Sequence, residues 1–175
     1  MTTTKESPAV AAASISIDVP AEYSKAVIQF VNRMGAAETF KPQHNVDDAF
    51  SNLIGGVLKV ISIERGKLSC SLDVKAPILN AYGGMHGGAV GAVAERVAIA
   101  CARTVVGEDK DLFLGELGLS YLSAALHNAE VIIDAHVVRS GRNLTVVAVN
   151  FRLKGSGRLA FLTRATFYNM PVSSL

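Results

Sequence analysis

The stretch NAYGGMHGGAVGAVAERVA, residues 80–98, decides the fold because its glycine-rich loop runs directly into an apolar helix. Four glycines and one histidine fall within residues 83–88, and small or branched apolar residues then occupy nearly every helical face as far as residue 106. A helix that is apolar on most sides is enclosed on most sides. The sequence therefore predicts a buried helix over residues 88–106 that begins at a sharply bent loop.

Strand-like segments lie on both sides of this helix. Before it, alternating apolar residues at 58–63 and 68–74 flank a turn at Arg65-Gly66, as in a hairpin. After it come four segments rich in branched and aromatic residues, separated by turn residues: 111–126, 129–140, 143–154 and 158–170. This order predicts an α+β domain in which a curled antiparallel sheet of five to six strands buries one face against a central helix.

An open sheet of this kind has edge strands, and pairing with a second copy is one common way to cover such an edge. We therefore expect a dimer.

Two short segments ahead of the hairpin also predict helices. Residues 22–35 carry apolar side chains on one helical face, and residues 45–56 begin at a capping Asn45 and end at Gly55-Gly56. Together with the strands, they predict four parts in the chain: a disordered tail at 1–20, N-terminal helices at 21–55, the sheet domain at 56–170 and a short tail at 171–175.

Composition excludes several classes of function. Seventeen Lys and Arg against fifteen Asp and Glu give a net charge of only +2, so a nucleic-acid partner has no electrostatic support. Cys70 and Cys101 have neither disulfide-framework nor zinc-site spacing, which favours a reducing compartment. The histidines at 44, 127 and 136 lack further ligands at metal spacing, so no metal is predicted. No apolar run reaches membrane-spanning length.

One pattern in the chain resembles a known family. It consists of Asn80, a short glycine-containing loop, the triplet HGG at 86–88, an acid seven residues later at Glu95, and then the strand LGLSYLSAA and the hairpin VVRSGRNLTVVAV. This pattern is similar to that of the hot-dog-fold acyl-CoA thioesterases, in particular the phenylacetate-pathway and acyl-CoA thioesterase 13-like branch. The likeness runs from about residue 50 to residue 170. It implies hydrolysis of an acyl-CoA to a free acid and coenzyme A, with no separate cofactor.

The loop and the helix start supply groups that suit thioester chemistry. Unpaired amides at Gly87 and Gly88, at the positive end of the helix dipole, are expected to face developing negative charge on a thioester oxygen. His86 is placed to fix the loop, and Asn80 offers both a donor and an acceptor to a water. The resemblance implies such roles for the asparagine, the histidine and the first glycine.

Glu95 is the candidate general base or nucleophile. Its helical neighbours are small and apolar, so the carboxylate is expected to be partly desolvated. A structural ion pair with Arg96 or Arg103 is the alternative, although Arg96 points about 100° away and Arg103 lies two turns further along the helix. The resemblance implies an interfacial active site, in which this acid meets the glycine turn of the other subunit of a homodimer; relatives commonly pair dimers into tetramers.

Other residues concern the leaving group. The turn RSGRN carries Arg139 and Arg142 around Gly141, which makes either a phosphate clamp or an ordinary solvated turn. The resemblance favours coenzyme A binding by this turn and near Tyr121. Some relatives hold the attacking water with a serine or threonine, but Leu114 occupies the matching position, so the choice between attack by water and attack by Glu95 stays open.

The sequence leaves two alternative functions and two cellular locations open. A hot-dog dehydratase or hydratase needs loop signatures that the chain lacks, and a non-catalytic acyl-CoA binding protein needs only the pocket. The C-terminal residues Ser173-Ser174-Leu175 differ by one residue from the peroxisomal Ser-Lys-Leu signal, so a peroxisomal or a cytoplasmic location is expected.

Overall fold

A computed structural model describes residues 49–172 of the protein, together with the helical positions Ala21, Lys25, Val27 and Gln29. The predicted Asn45 cap and most of the first predicted helix lie outside these residues, as does the C-terminal tripeptide. From Phe50 onward the chain forms one compact unit.

This unit contains two α-helices and six strands. In chain order they are α1 (Ala49–Val57), β1 (Leu58–Glu64), β2 (Lys67–Asp73), a short 3-10 helix (Ala76–Ile78), α2 (Gly87–Arg103), β3 (Lys110–Tyr121), β4 (Glu130–Ser140), β5 (Leu144–Leu153) and β6 (Leu159–Pro171). The predicted order of two strands, one helix and four strands is confirmed. Helix α1 runs one residue past the glycine pair that was expected to end it and passes directly into β1.

The six strands form one antiparallel sheet in the order β1-β2-β4-β5-β6-β3. Helix α2 lies against its inner face, and eight of its residues are buried: Ala89, Val90, Val93, Ala94, Val97, Ala98, Cys101 and Ala102. Because these side chains are mostly small, the helix packs close to the inward-facing residues of the central strands. The predicted fold, a curled sheet around one apolar helix, is confirmed.

Strand β3 contains a bulge that keeps both of its halves facing helix α2. Leu114 pairs with Phe167 and Glu116 pairs with Thr166, so Gly115 is left as an extra, unpaired residue. Leucines at 112 and 114 and again at 117 and 119 can face the same side only because of this extra residue. A Cβ at Gly115 would clash with the Tyr168 ring, so any larger residue there requires that half-exposed ring to move.

Strand β1 differs from the expected amphipathic strand. Val60, Ile61 and Ile63 are all more than half exposed, because β1 pairs only with β2 at the sheet edge and its register is interrupted between Val60 and Ser62. In β2, by contrast, Leu68, Cys70 and Leu72 are buried as the alternation predicts. None of the helices in the described part of the chain combines the length and the apolar character needed to cross a bilayer.

The two cysteines lie in the core as free thiols. Burial raises the pKa of Cys101 to about 11, and a hydrogen bond with the backbone of Val137 acts in the opposite direction. Burial, followed by the negative charge of Asp134, also raises the pKa of Cys70. Since the thiolate is the reactive form, both cysteines are expected to be unreactive in the native protein.

We predict that a chromogenic disulfide reagent at neutral pH labels neither cysteine in the folded protein and labels both after denaturation. The expected absorbance change is therefore near zero before addition of denaturant. Fast labelling of the folded chain would contradict the burial of these thiols. The same measurement gives the protein's own background in any assay that detects released thiol.

Candidate active site

The glycine-rich loop is held together by the side chain of Asn80. Its Oδ1 accepts hydrogen bonds from the backbone N–H of Tyr82 at 2.9 Å and of Gly84 at 3.1 Å, and its Nδ2 donates to the carbonyl of Met85 at 3.4 Å. The loop also requires glycine at position 83, where φ is +77°. Asn80 therefore shapes the loop with its acceptor and retains one amide hydrogen for another partner.

His86 is the N-cap of helix α2. Its Nδ1 accepts a hydrogen bond from the backbone N–H of Gly88 at 2.9 Å. The expectation of an unpaired amide is therefore wrong for Gly88, because the cap occupies it. Among the described residues the Gly87 N–H has no acceptor, and it lies at the positive end of a 17-residue helix. Of the two glycine amides expected to face a ligand, only that of Gly87 is therefore free of a partner among the described residues.

Tyr121, at the end of β3, is tied to the same helix start. Its hydroxyl donates a hydrogen bond to the Gly87 carbonyl at 3.0 Å, and its ring packs edge-on against Phe161. A Cβ at Gly87 would lie 3.4 Å from the Tyr121 hydroxyl oxygen, so a larger residue would intrude on this contact.

The contact forms one side of a pocket of about 740 Å³ lined by Asn80, Gly84, Met85, Gly87, Gly88, Tyr121, Leu122, Ser123, Ala124 and Phe161. Four of the predicted site residues therefore meet at this pocket.

Glu95 lies in a different place. It is half-buried on α2 and lines a second pocket of about 550 Å³ with Phe50, Ser51, Ala92, Arg96, Ile99 and Ala100. Within residues 49–172 no ion pair involves Glu95, and the Arg103 guanidinium is bound to the carbonyls of Gly107 and Lys110 instead. The structure therefore does not contain the structural ion pair that was the alternative to a chemical role.

Gly87 and Glu95 are too far apart within one chain to act on the same atom. Eight residues of α-helix separate them, a distance of roughly 12 Å along the axis at 1.5 Å per residue. Catalytic groups must each come within about 3 Å of the atom or proton they act on. One chain alone therefore does not bring the acid and the amide together.

The basic turn is remote from the Gly87 pocket. Arg139 is exposed near the end of β4, and Gly141 and Arg142 are exposed in the turn that follows. The Arg142 carbonyl accepts a hydrogen bond from the Lys110 ammonium at 2.9 Å. Lys110 begins β3 and Tyr121 ends it, which places them roughly 36 Å apart along an extended strand. This turn and the Gly87 pocket thus lie at opposite ends of one edge strand.

Several pocket residues were not singled out from the sequence. Ser123 is one of them, and it lines the Gly87 pocket with Leu122 and Phe161. Its nearness to Tyr121 in the motif YLSAA was the only available signal. Leu114 packs against the core. Within the described ranges, no three His, Cys, Asp or Glu side chains come together as a metal site.

We predict that Asn80→Asp and Asn80→Ala separate the two uses of this side chain. Aspartate keeps an oxygen that can accept from the Tyr82 and Gly84 amides but loses the Nδ2 donor, whereas alanine loses both. Asn80→Ala is expected to destabilise the fold by about 1–3 kcal/mol, since it leaves loop amides unpaired, and Asn80→Asp by less. Urea unfolding measures the difference. Equal destabilisation by both changes would contradict the loop-ordering role.

A six-stranded antiparallel sheet curled around one central helix, with a capped glycine loop at the start of that helix, is a hot-dog fold. The comparisons with known proteins agree. Residues 82–160 match the Thioesterase superfamily. The predicted resemblance is thereby confirmed, and at the level of the family it supports thioester hydrolysis.

Individual relatives point the same way. Human acyl-coenzyme A thioesterase 13 is 28% identical to this chain over 115 residues, which cover 63% of this chain and 79% of that protein. The crystal structure of zebrafish thioesterase superfamily member 2 is 21% identical, covers 82% of this chain and 96% of its own, and superposes with a TM-score of 0.64. A Streptococcus mutans protein, solved bound to acetyl-CoA, is 21% identical, covers 65% of this chain and 89% of its own, and has a TM-score of 0.57.

Proposed function

We propose that this protein is an acyl-CoA thioesterase. The observation that carries the proposal is the Gly87 N–H, which has no acceptor among the described residues and lies at the positive end of α2 on the wall of an open pocket. Such an amide stabilises the oxyanion that forms when a thioester carbonyl is attacked. The overall reaction adds one water to the acyl carbon, breaks the carbon–sulfur bond and releases a carboxylate, a thiol and a proton.

Glu95 of a second copy supplies the attacking group in this proposal. As a general base it takes a proton from water while the water oxygen bonds to the acyl carbon, and that proton then reaches the leaving sulfur. As a nucleophile its oxygen bonds to the acyl carbon and expels the thiolate, and water hydrolyses the resulting anhydride. Both routes fit a half-buried carboxylate without an ion pair in the described part of the chain. Both also fit a site that one chain cannot complete.

The exposed edge of the sheet supports a homodimer. Strand β3 is a 12-residue edge strand with Phe113 65% exposed and Tyr121 54% exposed, and Leu122 and Leu126 beside its end are also exposed. Long edges with apolar residues are normally covered in native proteins. If the β3 strands of two copies pair antiparallel, the edges are covered and each active site is shared between subunits. A further pairing of dimers would give the tetramer that the resemblance implies.

The same pairing would bring the basic turn of one copy close to the Gly87 pocket of the other. In an antiparallel pair the start of one strand lies beside the end of the other. The turn with Arg139, Gly141 and Arg142, which adjoins the start of β3, would then approach the Tyr121 end of the second copy. We infer that its guanidinium groups bind the phosphates of coenzyme A there. The thioesterase and acetyl-CoA relatives above are consistent with this substrate class.

A panel of acyl-CoA substrates with short, long and aromatic acyl groups tests the proposal. Thiol release measured with a chromogenic reagent is expected for at least one class, together with an equal amount of free acid. Binding of acyl-CoA by calorimetry without hydrolysis across the panel would favour the non-catalytic alternative. Conversion of an enoyl-CoA or a hydroxyacyl-CoA without thiol release would favour the dehydratase or hydratase.

We also propose a peroxisomal or cytoplasmic location, from the C-terminal Ser-Ser-Leu. A fluorescent protein fused to the N-terminus leaves this tripeptide free and reports the location. Deletion of Leu175 is expected to abolish any peroxisomal import. A fusion that co-localises with peroxisomes even without Leu175 would show that another signal is responsible, and a diffuse signal in both cases would favour the cytoplasm.

A further inference from the structure

The backbone of the basic turn is held at three successive carbonyl groups. The Gly141 carbonyl accepts from Asn169 Nδ2 at 2.9 Å, the Arg142 carbonyl from the Lys110 ammonium at 2.9 Å, and the Asn143 carbonyl from the Asn169 backbone N–H at 3.0 Å. One residue of β6, Asn169, therefore makes two of these three bonds. The bond at Asn143 continues the β5–β6 ladder, whereas the bonds at Gly141 and Arg142 come from side chains on β6 and β3.

The Asn169 side chain is itself fixed by a buried polar network. It is only 7% exposed, and its Oδ1 accepts from the hydroxyl of Thr145, which is fully buried, at 3.1 Å. The Thr145 oxygen in turn lies 3.3 Å from the Ser140 hydroxyl. Because Thr145 has a single hydroxyl hydrogen and uses it toward Asn169, Ser140 is the donor in that contact. Because the bond between the buried Thr145 and Asn169 is satisfied in this way, the amide is held in one orientation.

We propose that Asn169 is a positioning residue for coenzyme A binding, acting through the turn that carries Arg139 and Arg142. The inference rests on the proposed role of that turn. A guanidinium recognises phosphate through a planar fork of donors, so its affinity depends on where the backbone places it. Asn169 touches no substrate in this arrangement. It fixes the backbone between the two arginines by its bond to the carbonyl of Gly141.

Binding of coenzyme A and of pantetheine by the full-length protein tests this inference without requiring turnover. Pantetheine has the thiol arm but lacks the nucleotide phosphates. For Asn169→Leu we expect the Kd for coenzyme A to rise about tenfold, the equivalent of about 1.4 kcal/mol, and the Kd for pantetheine to stay unchanged. If the protein hydrolyses thioesters, the same split appears as a raised KM for acyl-CoA, with the kcat and KM for an acyl-N-acetylcysteamine thioester unchanged.

Two threonine variants form a matched pair for this test. Thr145→Val removes the hydroxyl that orients Asn169 and should weaken coenzyme A binding in the same direction but less. Thr163→Val removes an equally buried hydroxyl that has no hydrogen-bond partner among the described residues, and it should leave the Kd unchanged. If Asn169→Leu fails to fold, Thr145→Val alone carries the comparison. Equal effects of Thr145→Val and Thr163→Val would overturn the inference.

A double variant shows whether Asn169 acts through the turn. Once Arg142→Met has removed a phosphate contact, adding Asn169→Leu should weaken coenzyme A binding further by less than it does in the wild-type background, since neighbouring groups in one path are not additive. Fully additive effects, or an equal loss for pantetheine, would overturn the positioning role. If the wild-type protein binds pantetheine and releases thiol, but Asn169→Leu binds coenzyme A as tightly as the wild type does, this inference alone is refuted. Wild-type protein that neither binds coenzyme A nor releases thiol refutes the proposed function as well.

Discussion

Replacing Glu95 by glutamine is expected to lower kcat for acyl-CoA hydrolysis by about 10²- to 10⁴-fold, the usual contribution of a general base. Glutamine has nearly the same shape, but it neither takes up a proton nor attacks as a carboxylate. The change should not disturb the fold, because Glu95 is half-buried and none of the ion pairs in the described residues includes it. The loss should therefore appear in kcat rather than in stability.

The measurement combines steady-state thiol release with thermal unfolding of the same samples. Glu64→Gln is a suitable control, because it makes the same chemical change at an exposed position on β1, the strand at the opposite edge of the sheet from β3. This control should retain wild-type kcat. Turnover of Glu95→Gln within twofold of wild type would remove Glu95 from the mechanism, and a loss of folding would assign it a structural role instead.

Mixed dimers are expected to recover activity that neither parent variant has. Glu95→Gln removes the acid, and Gly87→Val fills the pocket beside the amide, since even a Cβ there lies 3.4 Å from the Tyr121 hydroxyl. If each site takes its acid from one subunit and its amide from the other, a mixed dimer has one doubly defective site and one intact site. When equal amounts of the two variants pair at random, about half of the dimers are mixed, so about a quarter of all active sites should be intact.

Co-refolding or co-expression of the two variants provides the mixed population, and thiol release is compared with that of each variant alone. Mixing Glu95→Gln with Glu64→Gln is the control for dilution. Glu64→Gln retains both the acid at position 95 and the amide at position 87, so half of all sites in this mixture should be intact. No recovery in the first mixture, despite subunit exchange shown by differently tagged chains, would mean that the acid and the amide belong to one chain.

Much of the fold follows from periodicity in the sequence. The apolar residues of α2 indicated a buried helix because they occupy nearly every face, and the positive φ of Gly66 and Gly157 occurs at turns that the sequence marked. The HGG triplet also located the start of α2 within one residue, since His86 caps it. These are local signals, set by backbone conformation and by burial of a single element.

What the sequence did not reveal depends partly on local geometry and partly on partners that are distant along the chain. The Gly88 amide was expected to be unpaired, but a histidine ring two residues earlier reaches it. The distance between Glu95 and Gly87 follows from helix geometry. That the two residues line different pockets is seen only in the folded structure. Asn169 looked like an ordinary strand residue, because its role depends on a turn 28 positions earlier. β-Sheet register brings such residues together, and no short pattern encodes it.

Because Gly115 is unpaired, the number of residues in β3 decides which side chains face α2. Gly115 changes the parity of the strand, so that Leu112 before it and Tyr121 after it both point toward α2. A deletion of this one residue would restore strict alternation and turn one of the two halves outward. Either core packing or the hydroxyl contact at Gly87 would then be lost. Along this strand, single-residue insertions and deletions should therefore be harsher changes than most substitutions.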